Sequence, residues 1–486
     1  MTAVDSLDRT FSWDGMHVVV GGFGRSGYAA ADALVQVGAT VTVLDDADSP
    51  QLREKATVLE ILGATVRLGP GRTAVLPERV ELVITSPGWP PSTPLLAAAR
   101  ARAVPVWGEV ELAWRLRAED AAPWLAVTGT NGKTTTVRML AGMLAAAGLR
   151  SAAVGNIGTP IVRAIMDPQR YDALAVELSS FQLHWSRSLA AEASVVLNVA
   201  DDHLDWHGTQ AAYRLAKGRV YENTALACVY NVEDAVTEQL VRDADVAEGC
   251  RAIGFTLGPP AVGMVGIVDG IIADRAFVPE RSTSAAELGT VADIDAATPE
   301  PAAPHNVANA LAAAALARAH GVPQSAVRDG LRAFRPDAHR IAVVAHIDDV
   351  AYVDDSKATN PHAALASLRT YDHPVWVAGG LAKGATFEDL VTAVRDRLRA
   401  AVLIGTDRGL IADALRRHAP DVPVIELQTD QDDLMDRVVD AAARLARPGD
   451  TVVLAPGCAS MDQFSDYAAR GDAFAAAVHR FGRNRT

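Results

Sequence analysis

One run constrains this chain more than any other: Val127-Thr128-Gly129-Thr130-Asn131-Gly132-Lys133-Thr134-Thr135, which joins the apolar stretch WLAVTG to the helical stretch TTTVRMLAGMLAAAG. A strand that passes through a glycine loop into a helix aims successive backbone N–H groups and the positive end of the helix at one point, an anion nest. Lys133 then reaches terminal phosphates, and the Thr134 hydroxyl can ligate Mg²⁺. The common phosphate loop has glycine where this chain has Val127, so the run is a variant. A turn that merely caps a helix leaves Gly-Lys-Thr-Thr at a strand–helix junction unexplained.

A length of 486 residues suggests about three domains at ~150 residues each. From His17 the order strand (HVVV), glycine turn, helix and strand (TVTVLDD) is a βαβ opening, followed by the strand ELVITS at 81–86. WRLRAEDAAP reads as a linker, and a second unit runs from WLAVTG through ALAVELSS and SVVLNVA. MVGIVDGIIADRAF reads as a hairpin turning at Asp269-Gly270. SAAELGTVADIDAATPEPAAP reads as an irregular loop, and an Ala-rich helix opens at His305. Beyond RAFRPDAHR, the strands YVDDS, VWVAGG, AVLIG, VPVIEL and TVVLAP alternate with helical segments. The expected architecture is α/β in three α/β sandwich domains: a Rossmann-like domain (1–121), a central P-loop-type domain (122–337) and a second Rossmann-like domain (338–486).

Lys+Arg 45 against Asp+Glu 59 gives a net charge of −14, which argues against general affinity for nucleic acid or an anionic membrane. Cys228, Cys250 and Cys458 include no CxxC pair and read as reduced thiols. No signal peptide and no run of ~18 apolar residues is found, so a cytoplasmic protein is expected.

Other candidates flank strand ends. Glu177 ends the strand ALAVEL, where a carboxylate stands next to the phosphate loop as a metal ligand or a solvated strand end. NVADDHLDWHG carries Asp201, Asp202, His203, Asp205 and His207, a density of ligands that suits a second metal or a polar loop. Gly22-Phe23-Gly24-Arg25-Ser26-Gly27, with Asp45 beyond it, fits G-x-G-x-x-G and holds a diphosphate on a helix N-terminus. A UDP-linked substrate is preferred to NAD there, since the chain already has an ATP site. In the third unit, Lys357 in DSKATN and Lys383 in GGLAKG, with Gly457-Cys458-Ala459-Ser460, would form a small cationic pocket for an anionic substrate.

With these residues assembled, the chain resembles the Mur ligase family over nearly its whole length. TGTNGKTT, GNIG at 155–158, His305-Asn306-xx-Asn309 and His339-Arg340 match family-wide features. ELSSFQL at 177–183, DSKATN at 355–360 and CASMDQF at 458–464 match the branch that adds D-glutamate to UDP-N-acetylmuramoyl-L-alanine.

The resemblance implies an ATP-dependent, ADP-forming amide ligase of peptidoglycan precursor synthesis, working as a monomer through an acyl phosphate with two Mg²⁺. It implies that Gly129, Thr130, Asn131, Gly132, Lys133, Thr134 and Thr135 cradle ATP, with Asn309, Arg340 and Asp355 on the nucleotide side. Thr134, Glu177, His203 and a carbamylated Lys217 would hold metal, whereas the residues alone make Lys217 a helix-surface lysine. Ser26, Asp45, Asp46 and Ser86 fall where the family holds the uridine diphosphate, and Asn156 and Ser179 lie nearer the muramoyl-alanine end. Lys357, Thr359, Lys383, Ser460 and Tyr467 would line the D-glutamate pocket. Lys133, Glu177, His203, Lys217 and Lys383 carry the chemistry. Asp46, Tyr467 and Trp206 depart from the family pattern, where Thr, Phe and a basic residue are expected. Closure of the third domain on ATP binding is a further expectation, prompted by the two apparent linkers. Rival readings are an NAD-dependent oxidoreductase, a non-catalytic sensor of nucleotide and UDP-sugar, and a sister amide ligase such as a folylpolyglutamate synthetase.

Overall fold

A computed structural model describes residues 7, 10–295, 303–335, 339–428, 433–483 and 485. The chain divides into two compact bodies: Met1–Val199 with Ala211–Phe334, and Ala200–Gln210 with Arg335–Thr486.

The first body holds two sheets. One contains β1 (His17–Gly21), β2 (Thr40–Asp45), β3 (Thr65–Leu68), β4 (Leu82–Thr85) and β5 (Val106–Gly108), all parallel in the order β3-β2-β1-β4-β5. Strand order reverses between β1 and β4, and such a switch point opens a crevice at the carboxyl ends of the strands.

The second sheet contains β6 (Trp124–Thr128), β7 (Ser151–Gly155), β8 (Ala173–Glu177), β9 (Ala193–Val196), β10 (Ala227–Asn231), β11 (Arg251–Phe255), β12 (Met264–Val268), β13 (Ile271–Asp274) and β14 (Ala286–Thr290). Its order is β14-β13-β12-β11-β10-β9-β6-β8-β7, so β6, which feeds the phosphate loop, lies between β8 and β9. These central strands are buried along their whole length, as an apolar run without alternation requires. The hairpin β12–β13 turns at Asp269-Gly270, both with positive φ (50° and 79°) as a primed turn demands. The Ala-rich helix Pro304–Ala319 is almost wholly buried against this sheet and the helix Lys133–Ala146.

Two sequence expectations are corrected here. The segment read as an irregular loop contains β14 and the helix Val291–Asp295. β14 pairs antiparallel with β13, Ala286 and Leu288 point inward, and the Asp293 carboxylate accepts from Thr290 N and Oγ1. The edge of β13 supplied backbone partners that local sequence does not advertise; residues 296–302 of the segment lie outside the described residues. The WRLRAEDAAP stretch is not all linker, because Trp114–Leu116 completes the helix Glu109–Leu116 and Trp114 packs edge-on against Trp124 at 4.9 Å.

The second body is built on β15 (Ala342–Ile347), β16 (Val350–Asp354), β17 (Pro374–Gly379), β18 (Ala400–Ile404), β19 (Val424–Glu426) and β20 (Thr451–Leu454), in the order β15-β16-β20-β17-β18-β19. Only β15 is antiparallel. The last of the described strands, β20, thus occupies the middle of its sheet. The expected boundary at 337/338 lies outside the described residues. No helix among the described residues is long and apolar enough to cross a membrane.

Candidate active site

In the first body the loop after β6 is held from both sides. Asn198, just past β9, accepts from Asn131 N through Oδ1 (2.9 Å) and donates to Asn131 O (3.2 Å), while Thr130 N donates to Asn198 O. Gly132 adopts φ 85°, and a Cβ there would come within 2.2 Å of Asn309 Oδ1, so the helix Pro304–Ala319 is seated directly on the loop. Lys133 Nζ arcs back to Gly129 O (2.8 Å) and Thr130 O (2.9 Å). Thr134 and Thr135 follow in the first turn of the helix Lys133–Ala146, whose amino end closes the anion nest.

Glu177 ends β8 in register with Val127 of β6, which puts its carboxylate beside the phosphate loop. It is 2% exposed; Oε1 accepts from Asn156 Nδ2 at 2.9 Å, and Oε2 is buried without a protein partner. A buried carboxylate oxygen with no donor is costly unless a cation meets it. Ser179 caps the following helix Ser180–His184 in a capping box with Gln182.

Lys217 overturns the surface reading taken from its residues alone. It is 2% exposed, its Nζ donates to Gly129 O at 2.7 Å, and it lies 4.7 Å from the Tyr213 ring centroid. Tyr213 OH in turn is 3.0 Å from Thr130 Oγ1. Two lysine amines, Lys133 and Lys217, therefore meet on one loop carbonyl. Its spacing from the loop by 88 residues gave the sequence no signal of this.

At the switch point of the first sheet, Asp45 Oδ2 accepts from Phe23 N and Oδ1 from Ala47 N, so this carboxylate shapes the glycine turn. Asp46 takes the N–H and hydroxyl of Thr73, and these bonds hold its carboxyl below the usual range. A Cβ on Gly22 would lie 2.2 Å from Ser86 Oγ, which brings the loops after β1 and β4 together beside the half-buried Ser26. Arg25 also donates to Gly158 O of the GNIG loop.

In the second body, a cleft of 360 Å³ is lined by Asp202, His203, Thr359, Asn360, Lys383 and Thr386 among others. His203 stands in a left-handed conformation (φ 54°), its N–H on Asp202 Oδ1, and Asp202 Oδ2 accepts from Asn360 Nδ2 at 3.3 Å. Gln210 Nε2 donates to Asp201 Oδ1. Among the described residues no three His, Cys, Asp or Glu side chains are grouped so that they could hold a metal ion. Lys357 is not in the cleft lining; its Nζ lies 5.6 Å from the Tyr467 ring centroid. Ser460 and Asp355 are buried, and burial pushes the Asp355 carboxyl up to about 6 against the opposing pull of Arg340.

Sequence reading missed Arg470. It is 1% exposed and binds Ser356 Oγ and O (both 2.9 Å), Cys458 O (3.2 Å) and Gly379 O (3.4 Å). One guanidinium thus ties together the loops after β16, β17 and β20. Desolvation brings it down to about 10, still a cation at neutral pH.

The Mur ligase MurD-like N-terminal domain matches residues 16–108, the Mur ligase middle domain residues 127–317, and the Mur ligase glutamate ligase domain residues 339–458. A protein of Streptomyces avermitilis named UDP-N-acetylmuramoylalanine–D-glutamate ligase is 61% identical over 97% of this chain and 99% of its own. The chain belongs to the Mur ligase family. A Streptomyces coelicolor protein of the same name is also 61% identical, over 97% of this chain and 99% of its own. Among solved structures, UDP-N-acetylmuramate-alanine ligase MurC of Thermotoga maritima covers 96% of this chain and 99% of its own at TM-score 0.56 and 19% identity. MurF ligase of the same organism, in complex with ADP, covers 99% of this chain and 98% of its own at TM-score 0.54 and 15% identity. At these identities the structures speak for the family's three-domain α/β fold.

Proposed function

We propose that this chain is the ATP-dependent, ADP-forming ligase that adds D-glutamate to UDP-N-acetylmuramoyl-L-alanine in cytoplasmic peptidoglycan precursor synthesis. The observation that carries this reading is 61% identity, over 97% of the chain, to relatives that bear that activity as their name. Residues 1–121 hold the UDP-substrate, 122–337 hold ATP and 338–486 receive D-glutamate.

A carboxylate acylates an amine poorly because oxide is a bad leaving group. Transfer of the ATP γ-phosphoryl to the L-alanine carboxylate makes an acyl phosphate, from which phosphate leaves readily. The neutral amine of D-glutamate attacks, and the tetrahedral intermediate collapses to an amide. Lys133 and Lys383 offset the charge of an anion attacking an anion, chiefly by positioning and electrostatics. Ser26, Asp45, Asp46 and Ser86 orient the uridine diphosphate, and Thr359, Lys357, Ser460 and Tyr467 orient the amino acid.

The buried, partnerless Oε2 of Glu177 suits a divalent cation, with Thr134 as its companion, and His203 and Lys217 are further candidate metal ligands, each in its own body. Mg²⁺ supplies Lewis-acid neutralisation of the phosphate oxygens when bound. Two ammonium groups on the Gly129 carbonyl are an unfavourable concentration of like charge, and carbamylation of Lys217 replaces one of them with an anion. The assignment is tested by phosphate release from ATP with UDP-N-acetylmuramoyl-L-alanine and a panel of D-glutamate, L-glutamate, L-lysine, diaminopimelate and D-alanine. Mg²⁺-dependent release with D-glutamate alone is expected. Release with another amino acid keeps the ligase and overturns the pocket, and silence throughout favours the sensor.

A further inference from the structure

In the first body, away from every residue given a catalytic role, two of the three cysteines meet. Cys228 Sγ and Cys250 Sγ are 3.8 Å apart, in van der Waals contact, although 22 residues separate them in sequence. Cys228 is the second residue of β10 and is 1% exposed; Cys250 immediately precedes β11 and is half-buried. The parallel register pairs Ala227 with Arg251 and Cys228 with Ala252, so the thiols sit side by side at the foot of one βαβ crossover. The two differ in character. Donation from the Cys228 S–H holds the Cys250 thiol below its ordinary range, whereas the same interaction and burial push Cys228 up. Cys458 is buried in the other body, and desolvation pushes it up to about 12.

We propose that Cys228 and Cys250 form a reversible disulfide site, oxidised by a low-molecular-weight disulfide such as oxidised glutathione. The accessible Cys250 thiolate attacks one sulfur of the oxidant, forming a mixed disulfide and releasing one thiolate. Cys228, losing its proton, attacks the Cys250 sulfur, forms the internal bond and releases the second thiolate. Two protein thiols are oxidised, and one external disulfide is reduced to two thiols. The bond closes the β10–helix–β11 crossover and restricts the unfolded chain, so it stabilises the first body. The pair lies at the amino ends of β10 and β11, whereas the phosphate loop follows the carboxyl end of the parallel strand β6, so the bond leaves catalysis unaltered.

The full-length protein is treated with oxidised glutathione, digested under acid quench and mapped by mass spectrometry. The expected product is a Cys228–Cys250 peptide pair, lighter by two hydrogen atoms than the reduced peptides, with Cys458 free. Cys228→Ser should trap glutathione on Cys250, and Cys250→Ser should leave Cys228 unmodified. The oxidised protein should melt several degrees higher than the reduced protein and release phosphate at the same rate. A persistent mixed disulfide on wild-type Cys250, or a bridge to Cys458, overturns the site. An unchanged or lowered melting temperature overturns its stabilising role, and slowed phosphate release overturns its separation from catalysis.

Discussion

Asn156 Nδ2 donates to Glu177 Oε1 at 2.9 Å, and this one bond decides which oxygen of the buried carboxylate is left for a ligand. A partner that orients a metal-holding group typically supports its affinity by about 10–100-fold. Asn156→Ala should therefore raise the Mg²⁺ concentration needed for half-maximal phosphate release by about that factor. Activity at saturating Mg²⁺ should fall much less. Glu177→Gln should lose activity at any Mg²⁺ concentration.

Lys217 tests the charge arrangement on the Gly129 carbonyl. Lys217→Ala should lower turnover by about 10²–10³-fold, the usual cost of removing one preorganised electrostatic group. Wild-type activity should decline in carbon-dioxide-free buffer and return with bicarbonate. The variant should not respond, and a variant that did respond would place the carbamate elsewhere.

Arg470 joins three loops of the second body through four hydrogen bonds. Arg470→Met keeps bulk but strands those acceptors, at about 1–3 kcal/mol for each one left buried and unmet. Unfolding in urea should show the second body destabilised by roughly 3 kcal/mol. KM for D-glutamate should rise far more than KM for ATP, since the phosphate loop lies in the first body.

Glu109 gives a pH prediction. It is buried, its Oε1 accepts from Val162 N at 2.7 Å, and burial pushes its carboxyl from 4.5 up to about 7. The folded state thus binds the proton more tightly than the unfolded state. Its contribution to stability is fully present below about 4.5 and is lost as pH rises through about 7. At ~1.4 kcal/mol for each tenfold change in proton affinity, the rise from 4.5 to about 7 is worth on the order of 3 kcal/mol. Glu109→Gln keeps the acceptor and removes the charge, so it should be more stable than wild type at pH 8.5 and comparable at pH 5. Denaturant titrations at the two pH values check this; equal differences at both would sink it.

Much of the fold was legible because its signals are local. The strand–loop–helix at 124–146 and the Asp269-Gly270 turn announce themselves through periodicity and backbone preference. What escaped depends on partners distant in sequence. β14 exists because β13 offers an edge, and Lys217 is buried because Tyr213 and the phosphate loop close over it. Arg470 sits in the run Ala468-Ala469-Arg470-Gly471, where only the small neighbours hint at a close approach. The Mur ligase resemblance singled out Lys217 where residue chemistry alone misread it, but it gave no warning of Arg470.

The central place of β20 governs how this protein must be made. Until Thr451–Leu454 leaves the ribosome, β16 and β17 have no strand between them, and each presents an open edge. Among the described residues the sheets of the first body use none beyond Thr290 and can pair well before Thr451–Leu454 is made. The second body can complete its sheet only once Thr451–Leu454 has been made, so a ribosome that stalls or terminates before that strand releases a chain whose first-body sheets are paired and whose second body keeps two unclosed strand edges.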